Sequence, residues 1–342
     1  SYLGVDTCAA TGLCEDRCPV GINTGDLVKR LREEHNRYAR KPVALIARHF
    51  EGATFMVRGG LIAANASHRA LGTAGMNSAS SRLRKASGNR MPLWSPATPR
   101  AGNPKALNRY RSKVVGEEII YWPSCASRNF APPHGSSKPT LTSVALRLLE
   151  KAGYQVTVMS NNGLCCGQPF FSKGHPLTGA EKQRELEDEL KALSRDGEVL
   201  VVGDTSPCAM QMNLSSIDVL DPVKFAIEHL MSRLKVAPVP GSIALHITCS
   251  TRKMGLARQA EHVARQCSES VIIPTNIECC GFAGDKGFNI PELNASALST
   301  LKSQVKGCRQ GYSTSLTCEI GLAAHSEIPY SSLLYLIDEA AQ

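Results

Sequence analysis

Eight cysteines of this 342-residue chain fall into two similar sets. The first is Cys125, the adjacent pair Cys165-Cys166, and Cys208. The second is Cys249, the pair Cys279-Cys280, and Cys318. Each pair is followed by glycine, Gly167 or Gly281, and a third group, Cys8, Cys14 and Cys18, precedes Pro19. Four thiolates are what a [4Fe-4S] cluster takes from a protein, and they also suit a closed tetrahedral zinc site. Adjacent cysteines do not readily form a disulfide with each other, but their sulfurs can reach two irons of one cluster. A glycine after the pair lets the backbone come close and adopt conformations closed to other residues. Gly167 and Gly281 are therefore expected beside the cofactor.

The N-terminal group reads Cys8-Ala-Ala-Thr-Gly-Leu-Cys14-Glu-Asp-Arg-Cys18-Pro19. A bacterial ferredoxin half-motif has cysteines at relative positions 0, 3, 6 and 10 before a proline, the last serving the other cluster of a pair. Thr11 stands at the second of these positions. Cys18 is thus expected to serve a cluster whose other ligands lie upstream. Cys8 and Cys14 would join one upstream cysteine, and the motif is not expected to hold a full cluster alone. The chain opens on Ser1 inside this pattern, as expected of a piece of a longer protein.

The elements that must position these thiols are read from periodicity. Thr24 can cap a helix starting at Gly25 or Asp26, with Leu27, Leu31 and Tyr38 on its apolar face and Pro42 as its stop. A second helical stretch is expected over 43–71, broken at Gly59-Gly60. Residues 76–104, rich in Ser, Pro, Gly, Asn and Arg, read as an extended linker. Strands are expected over 118–122, 155–159 and 199–202, and helices over 140–152 and 178–194. The pattern repeats, with strands over 243–247 and 271–273, helices over 255–266 and 291–305, and a closing helix over 330–340. Corresponding cysteines lie 124, 114 and 110 residues apart, so the chain carries an internal duplication. Alternating strands and helices predict an α/β fold with mainly parallel sheets. Such sheets place their sites at the carboxyl ends of the strands.

Composition narrows the class. No basic-then-apolar leader opens the sequence, and no uncharged apolar run reaches the roughly eighteen residues of a spanning helix. An odd cysteine count without an export signal favours metal or redox chemistry over disulfides, and a cytoplasmic location. The net charge of +9 is uneven, because residues 52–116 contain no Asp or Glu. Arg58, Arg69, Arg82, Arg84, Lys85 and Arg90 are among the basic residues there. This field suits an acidic partner or an anionic membrane face. No aromatic platform or recognition motif accompanies it, so nucleic acid is not expected.

The cysteine layout resembles the CCG cysteine-rich domain of heterodisulfide reductase subunits, the iron–sulfur subunit of glycolate oxidase and related lactate-oxidising systems. That pattern ends in Cys-x-x-Cys, whereas Thr205 and Ser315 stand where a fifth cysteine would be. The departure leaves room for a [4Fe-4S] cluster, for zinc at one site, or for an empty site, in place of the cluster of five-cysteine members. The N-terminal spacing resembles the second half-motif of the succinate dehydrogenase iron–sulfur subunit. There the missing ligand goes with a [3Fe-4S] cluster, which Thr11 suggests here.

The segment Cys14-x-x-x-Cys18-Pro-Val-Gly-Ile-Asn-Thr-Gly-Asp-Leu-Val and Thr317-Cys-Glu-Ile-Gly-Leu, with Ile328-Pro-Tyr, resemble the C-terminal third of FAD- and iron–sulfur-containing D-lactate dehydrogenases. The resemblance implies a ferredoxin-like half-domain at 1–41, a helical and basic linker at 42–115, and CCG domains at 116–240 and 241–342. It implies an oxidoreductase in which electrons from a D-2-hydroxy acid reach FAD on an upstream domain. They then pass through this chain to a quinone or other respiratory acceptor, with possible peripheral contact at the inner membrane face. Thiol–disulfide catalysis of the heterodisulfide reductase kind and a structural zinc docking domain are the alternatives.

Outside these sets, Cys267 reads as core, Cys308 as a core or surface thiol, and His246 and His325 as packed histidines. His325 could also tune a cluster or carry protons. Asp204 and Glu319 flank ligand positions and could set the local field. No residue is assigned as catalytic.

Overall fold

The N-terminal part is helical in the computed structural model, which describes residues 2–161 and 163–342. Ser1 lies outside the described residues. Helix Thr24–His35 is capped by Asn23 rather than Thr24, since Asn23 Oδ1 accepts from Gly25 N at 2.9 Å. Asp26 sits in its first turn, where a negative charge opposes the helix dipole. Pro42 does not stop this helix. It lies in the first turn of the next one, Arg40–Arg48, where its missing N–H has no helical partner to lose.

The expected break at Gly59-Gly60 is absent. Helix Phe50–Ala86 continues through both glycines and is interrupted at Gly72, with φ 66° and ψ 179°. It also takes in residues 76–86, which composition alone places in an extended linker. Tertiary contacts override the weak propensity there: Met76 is buried, and Arg84 donates to Asn289 O at 2.6 Å. Among the described residues, no helix is long and apolar enough to cross a membrane.

The strands are β1 (Pro99–Ala101), β2 (Glu117–Trp122), β3 (Phe130–Pro133), β4 (Tyr154–Val158), β5 (Leu200–Gly203), β6 (Val239–Leu245), β7 (Ser268–Ile272), β8 (Gln310–Ser313) and β9 (Tyr330–Ser332). β1 and β3 pair antiparallel. The first repeat is a parallel sheet in the order β4-β2-β5, and the second a parallel sheet in the order β7-β6-β8-β9. The expected α/β architecture with duplicated parallel sheets is therefore present.

Four strands were not expected: the short antiparallel pair β1 and β3, and β8 and β9 of the second sheet. β8 had read as a connection to Cys318, and β9 as the start of the closing helix, which begins only at Leu333. Neither Gln310-Gly-Tyr-Ser313 nor Tyr330-Ser-Ser332 carries a β-branched residue or an apolar alternation. β8 is a strand because β6 offers an edge, and β9 because β8 in turn offers one. The stretch 291–305 is also two short helices, Pro291–Ala297 and Leu301–Gln304, rather than one.

The repeats share one core. Leu148, from helix Leu141–Lys151, packs in the same cluster as Ile243, Val263, Leu336 and Ile337. Tyr335 OH donates to Pro139 O at 2.7 Å, and Arg147 Nε donates to Asp338 at 2.8 Å across the same junction. A common core couples the two sheets energetically. Leu336→Ala, in the second repeat, should cost about 2–5 kcal/mol. In a Trp94→Phe background, Trp122 fluorescence reports the first repeat. That signal and far-UV circular dichroism should shift together on urea unfolding. A fluorescence midpoint unmoved by Leu336→Ala would contradict the shared core.

Candidate metal centre

Both cysteine sets are placed by the same local devices. Cys125 opens the short helix Cys125–Asn129 after β2, and Cys249 opens Cys249–Lys253 after β6. The preceding hydroxyl caps each helix: Ser124 accepts from Ser127 N, and Thr248 from Thr251 N, both at 3.2 Å. The adjacent pairs lie in the loops after β4 and β7. Cys208 and Cys318 lie in helices Ser206–Met212 and Leu316–Ser326, after β5 and β8. All eight thiols thus stand at the carboxyl ends of parallel strands, where neighbouring loops form a crevice.

The structure brings them together as two groups of four. Cys125 hydrogen-bonds with Cys165, Cys165 with Cys166, and Cys166 with Cys208. Cys249, Cys279, Cys280 and Cys318 repeat the chain of contacts. Among the described residues, no three His, Cys, Asp or Glu side chains close around one point as a bound ion needs.

The hydrogen bond with Cys165, and then burial, hold the Cys125 thiol well above its ordinary value. In the second group the bonds from Cys249 and Cys280 hold Cys279 well below it. Four clustered thiolates, two buried and two half-buried in each set, would carry a charge that such surroundings solvate poorly. A cationic metal centre supplies the balance, and its binding displaces the protons. The donor chemistry is compatible with an iron–sulfur or other thiolate-bound group.

The glycines shape the loops. Gly167 has φ 81°, and a Cβ there would lie 2.2 Å from Gly179 O; Gly281 has φ 69°, and its Cβ would lie 2.7 Å from Leu293 O. Neither position has room for a side chain. Gly281 N donates to Cys279 Sγ and Phe282 N to Cys280 Sγ, both at 3.4 Å. Thr205 and Ser315, in place of a fifth cysteine, both stand at helix N-termini. The Thr205 hydroxyl is occupied by Ser124 and Asp204, at 3.1 and 3.0 Å.

The N-terminal thiols are more open. Cys14 is exposed and its sulfur accepts from Thr24 Oγ1 at 3.1 Å. That bond lowers its pKa, and the backbone N–H groups of Ile22 and Val20 lower that of Cys18. Buried Arg32 binds this segment to the first repeat, donating to Val5 O at 3.0 Å, to Cys8 O at 2.6 Å and to Ser172 O at 2.7 Å. Arg17 meets Glu278 at 2.6 Å, so the neighbour of Cys18 touches the neighbour of Cys279. Cys267 lies in the shared core and Cys308 is buried beside the second crevice.

Residues 119–213 match the CCG cysteine-rich domain family. The matched span contains Cys125, Cys165, Cys166 and Cys208, and so the whole first crevice. No match is found among curated proteins. Among solved structures, an aspartate racemase homologue from Pyrococcus horikoshii OT3 aligns over 65% of this chain and 96% of its own, at 12% identity and a TM-score of 0.26. An overlap of that score carries no argument about fold or activity. The CCG match over this span is consistent with a cysteine-rich region of the iron–sulfur or electron-transfer kind.

Sequence reasoning missed the seam of hydroxyls between the CCG domain and the second repeat. Ser206 N donates to Thr314 O at 3.0 Å, Thr251 Oγ1 donates to Ser206 Oγ at 3.2 Å, and Thr314 Oγ1 lies 3.0 Å from Thr248 Oγ1. Asp204 accepts from Tyr121 OH at 2.7 Å and Ser124 N at 3.1 Å. Buried Arg128 donates to Pro123 O at 2.9 Å, Met159 O at 2.5 Å and Asn161 O at 2.7 Å, fixing the approach to Cys165. The signal was present in Ser124-Cys-Ala-Ser127 and Thr248-Cys-Ser-Thr251, where a hydroxyl precedes each cysteine and recurs three residues on. His246 is buried 3.3 Å from Ser313 Oγ, and burial lowers it to about 4.

Gly167→Ala and Gly281→Ala should each destabilise the chain by at least about 1 kcal/mol from backbone strain alone, with the backbone clash added. Each should also lower metal retained per chain after gel filtration. Full metal retention with an unchanged melting temperature in both variants would mean that these loops relax freely.

Proposed function

We propose that this chain is the iron–sulfur electron-transfer module of a flavin-dependent D-2-hydroxy acid dehydrogenase of the D-lactate type. FAD would lie on an upstream domain, and a quinone or another respiratory component would accept the electrons. An iron–sulfur cluster, when bound, takes up and releases one electron at a time with its ligands in place. The chain's own residues do the rest. Two sets of four cysteines hold the group, the Cys-Cys-Gly loops aim N–H groups at the sulfurs, and the crevice walls exclude water. Hydrogen bonds to ligand sulfurs and burial are the means by which a protein sets such a potential.

The contact between Arg17 and Glu278 carries this reading. It holds the N-terminal cysteine segment against the second Cys-Cys-Gly loop, as a relay needs. The basic stretch supports a docking role, since Phe55, Met56 and Ile62 are exposed on a helix that also carries Arg58. The upstream flavin domain or the inner membrane face would cover it in a cytoplasmic, peripherally attached enzyme.

Iron, zinc and acid-labile sulfide per chain after anaerobic purification test the proposal. Iron and sulfide are each expected near about four or about eight, for one or two clusters. Where both sites fill, Cys165→Ser and Cys279→Ser should each remove about half. Zinc without sulfide would make both crevices structural clamps and end the electron-transfer reading for this chain.

A further inference from the structure

The central strands of the two repeats lead to their crevices through different side chains. Trp122 closes β2 three residues before Cys125, and His246 follows β6 three residues before Cys249. β5 sets Gly203 opposite Trp122. In the second repeat Leu245 pairs with Tyr312, so the same register sets Ser313 opposite His246. The strand bonding runs on to this residue, since His246 N donates to Tyr312 O at 2.9 Å. Trp122 packs in one cluster with Cys165 and Cys166, and a Cβ on Gly203 would lie 3.5 Å from its ring. Side chains along a strand alternate between faces. Leu245 lies in the shared core, whereas Ala244 lies in the cluster of Cys280 and Cys318. His246, two residues beyond Ala244, is therefore on the face of the second cysteine group. A ring packed on glycine in one repeat is replaced by a smaller ring bonded to a hydroxyl in the other.

His246 is only 2% exposed and Ser313 is fully buried. Nδ1 of the ring lies 3.3 Å from Ser313 Oγ, and Nε2 is buried without a hydrogen-bond partner. A neutral imidazole has one donor and one acceptor nitrogen. With Ser313 donating to Nδ1, the ring hydrogen sits on Nε2. The reverse assignment would strand both the Ser313 hydrogen and the Nε2 lone pair. Nε2 is shut off from water, so its partner has to be a group of the chain itself. Cys279 is within electrostatic reach, because it opposes the lowering that burial imposes on His246. Gly281 N already donates to the same sulfur at 3.4 Å. We propose that His246 donates from Nε2 to the Cys279 sulfur when that sulfur is a metal-bound thiolate, and so raises the reduction potential of the group in the second crevice. Ser313 is the positioning residue that holds the tautomer. A hydrogen bond draws charge off the sulfur and favours the state with the added electron. Gly203 has no hydroxyl and an indole has no accepting nitrogen, so the first crevice lacks this pair. The proposal rests on the electron-transfer reading above and names a residue that sets the potential of its second site.

Two readouts on the purified, metal-loaded chain test this. Midpoint potentials are read by electron paramagnetic resonance during an anaerobic redox titration. His246→Phe should lower one midpoint by about 59 mV, a tenfold change for one electron. His246→Gln keeps a neutral donor and should restore at least about half of that shift. The ring nitrogens are read by nuclear magnetic resonance with isotope-labelled histidine. The signal lost in His246→Phe should carry its hydrogen on Nε2. Midpoints unmoved by His246→Phe at full iron content overturn the proposal. So does a hydrogen on Nδ1, which leaves Nε2 unable to donate. Where His246→Phe loses its iron, Ser313→Ala decides, because it keeps the histidine and should lower the same midpoint. Iron lost from both variants makes the pair a structural one and also overturns the proposal. Full iron and sulfide with unmoved midpoints sinks the His246 proposal alone. Zinc without sulfide, with the hydrogen on Nε2, sinks the electron-transfer reading and leaves the hydrogen bond standing.

Discussion

Burying four thiols in one crevice is the constraint around which the rest of this chain is arranged. A thiolate in an apolar interior is costly, so the site is viable as neutral thiols or with a cationic centre in place. Either state needs the loops to turn sharply, because three strand ends must bring four cysteines to one crevice. At Gly167 and Gly281 the backbone takes a left-handed turn so close to Gly179 O and Leu293 O that a Cβ has nowhere to go. The same turn points Gly281 N and Phe282 N at the sulfurs just passed. Packing and cofactor chemistry thus make the same demand on one residue.

Duplication solves the problem of supporting two such crevices with one core. A three-stranded sheet has few apolar faces of its own, and here helices Leu141–Lys151 and Leu333–Ala340 close over both sheets at once. On the side of the crevices the repeats meet through hydroxyls. Ser206, Thr248, Thr251 and Thr314 form a closed network in which short side chains satisfy one another. Buried polar networks are favourable only when fully paired. Hydroxyls suit this place, because each can donate and accept.

Much of this was readable in the sequence. The two sets of four cysteines, the duplication and the strand ends that carry them follow from spacing and from apolar runs such as Ile119-Ile120-Tyr121-Trp122. The errors have physical causes. Pro42 was read as a stop because proline breaks helix interiors, yet a first turn tolerates it. Residues 76–86 were read as linker from composition, while Met76 and Arg84 hold them helical through contacts distant in sequence. β8 and β9 have no local strand signal, because pairing to a neighbour makes them strands. A cavity beside Glu319 was invisible for the same reason. Its walls come from segments almost two hundred residues apart.

The two crevices, though duplicated, are not interchangeable. Asp204 of the first corresponds to Thr314 of the second, and Ala209 after Cys208 corresponds to Glu319 after Cys318. Arg128 is bound to three backbone carbonyls, whereas Arg252 at the matching position has a buried Nε without a partner. Contacts from the N-terminal cysteine segment fall near the second crevice, through Arg17 to Glu278 and through Gly12 beside Lys253. The first crevice is bordered by the N-terminal part as well, with Arg32 on Ser172 O and Phe50 against the cluster of Cys165 and Cys166, while its carboxylate Asp204 is tied to Tyr121 and Ser124. The second borders the N-terminal cysteine segment on one side and an apolar cavity on another. An electron store needs enclosure, and a point of exchange needs neighbours. Both crevices have such neighbours in the N-terminal part, and what further sets the second apart is Glu319, which follows Cys318 where Ala209 follows Cys208.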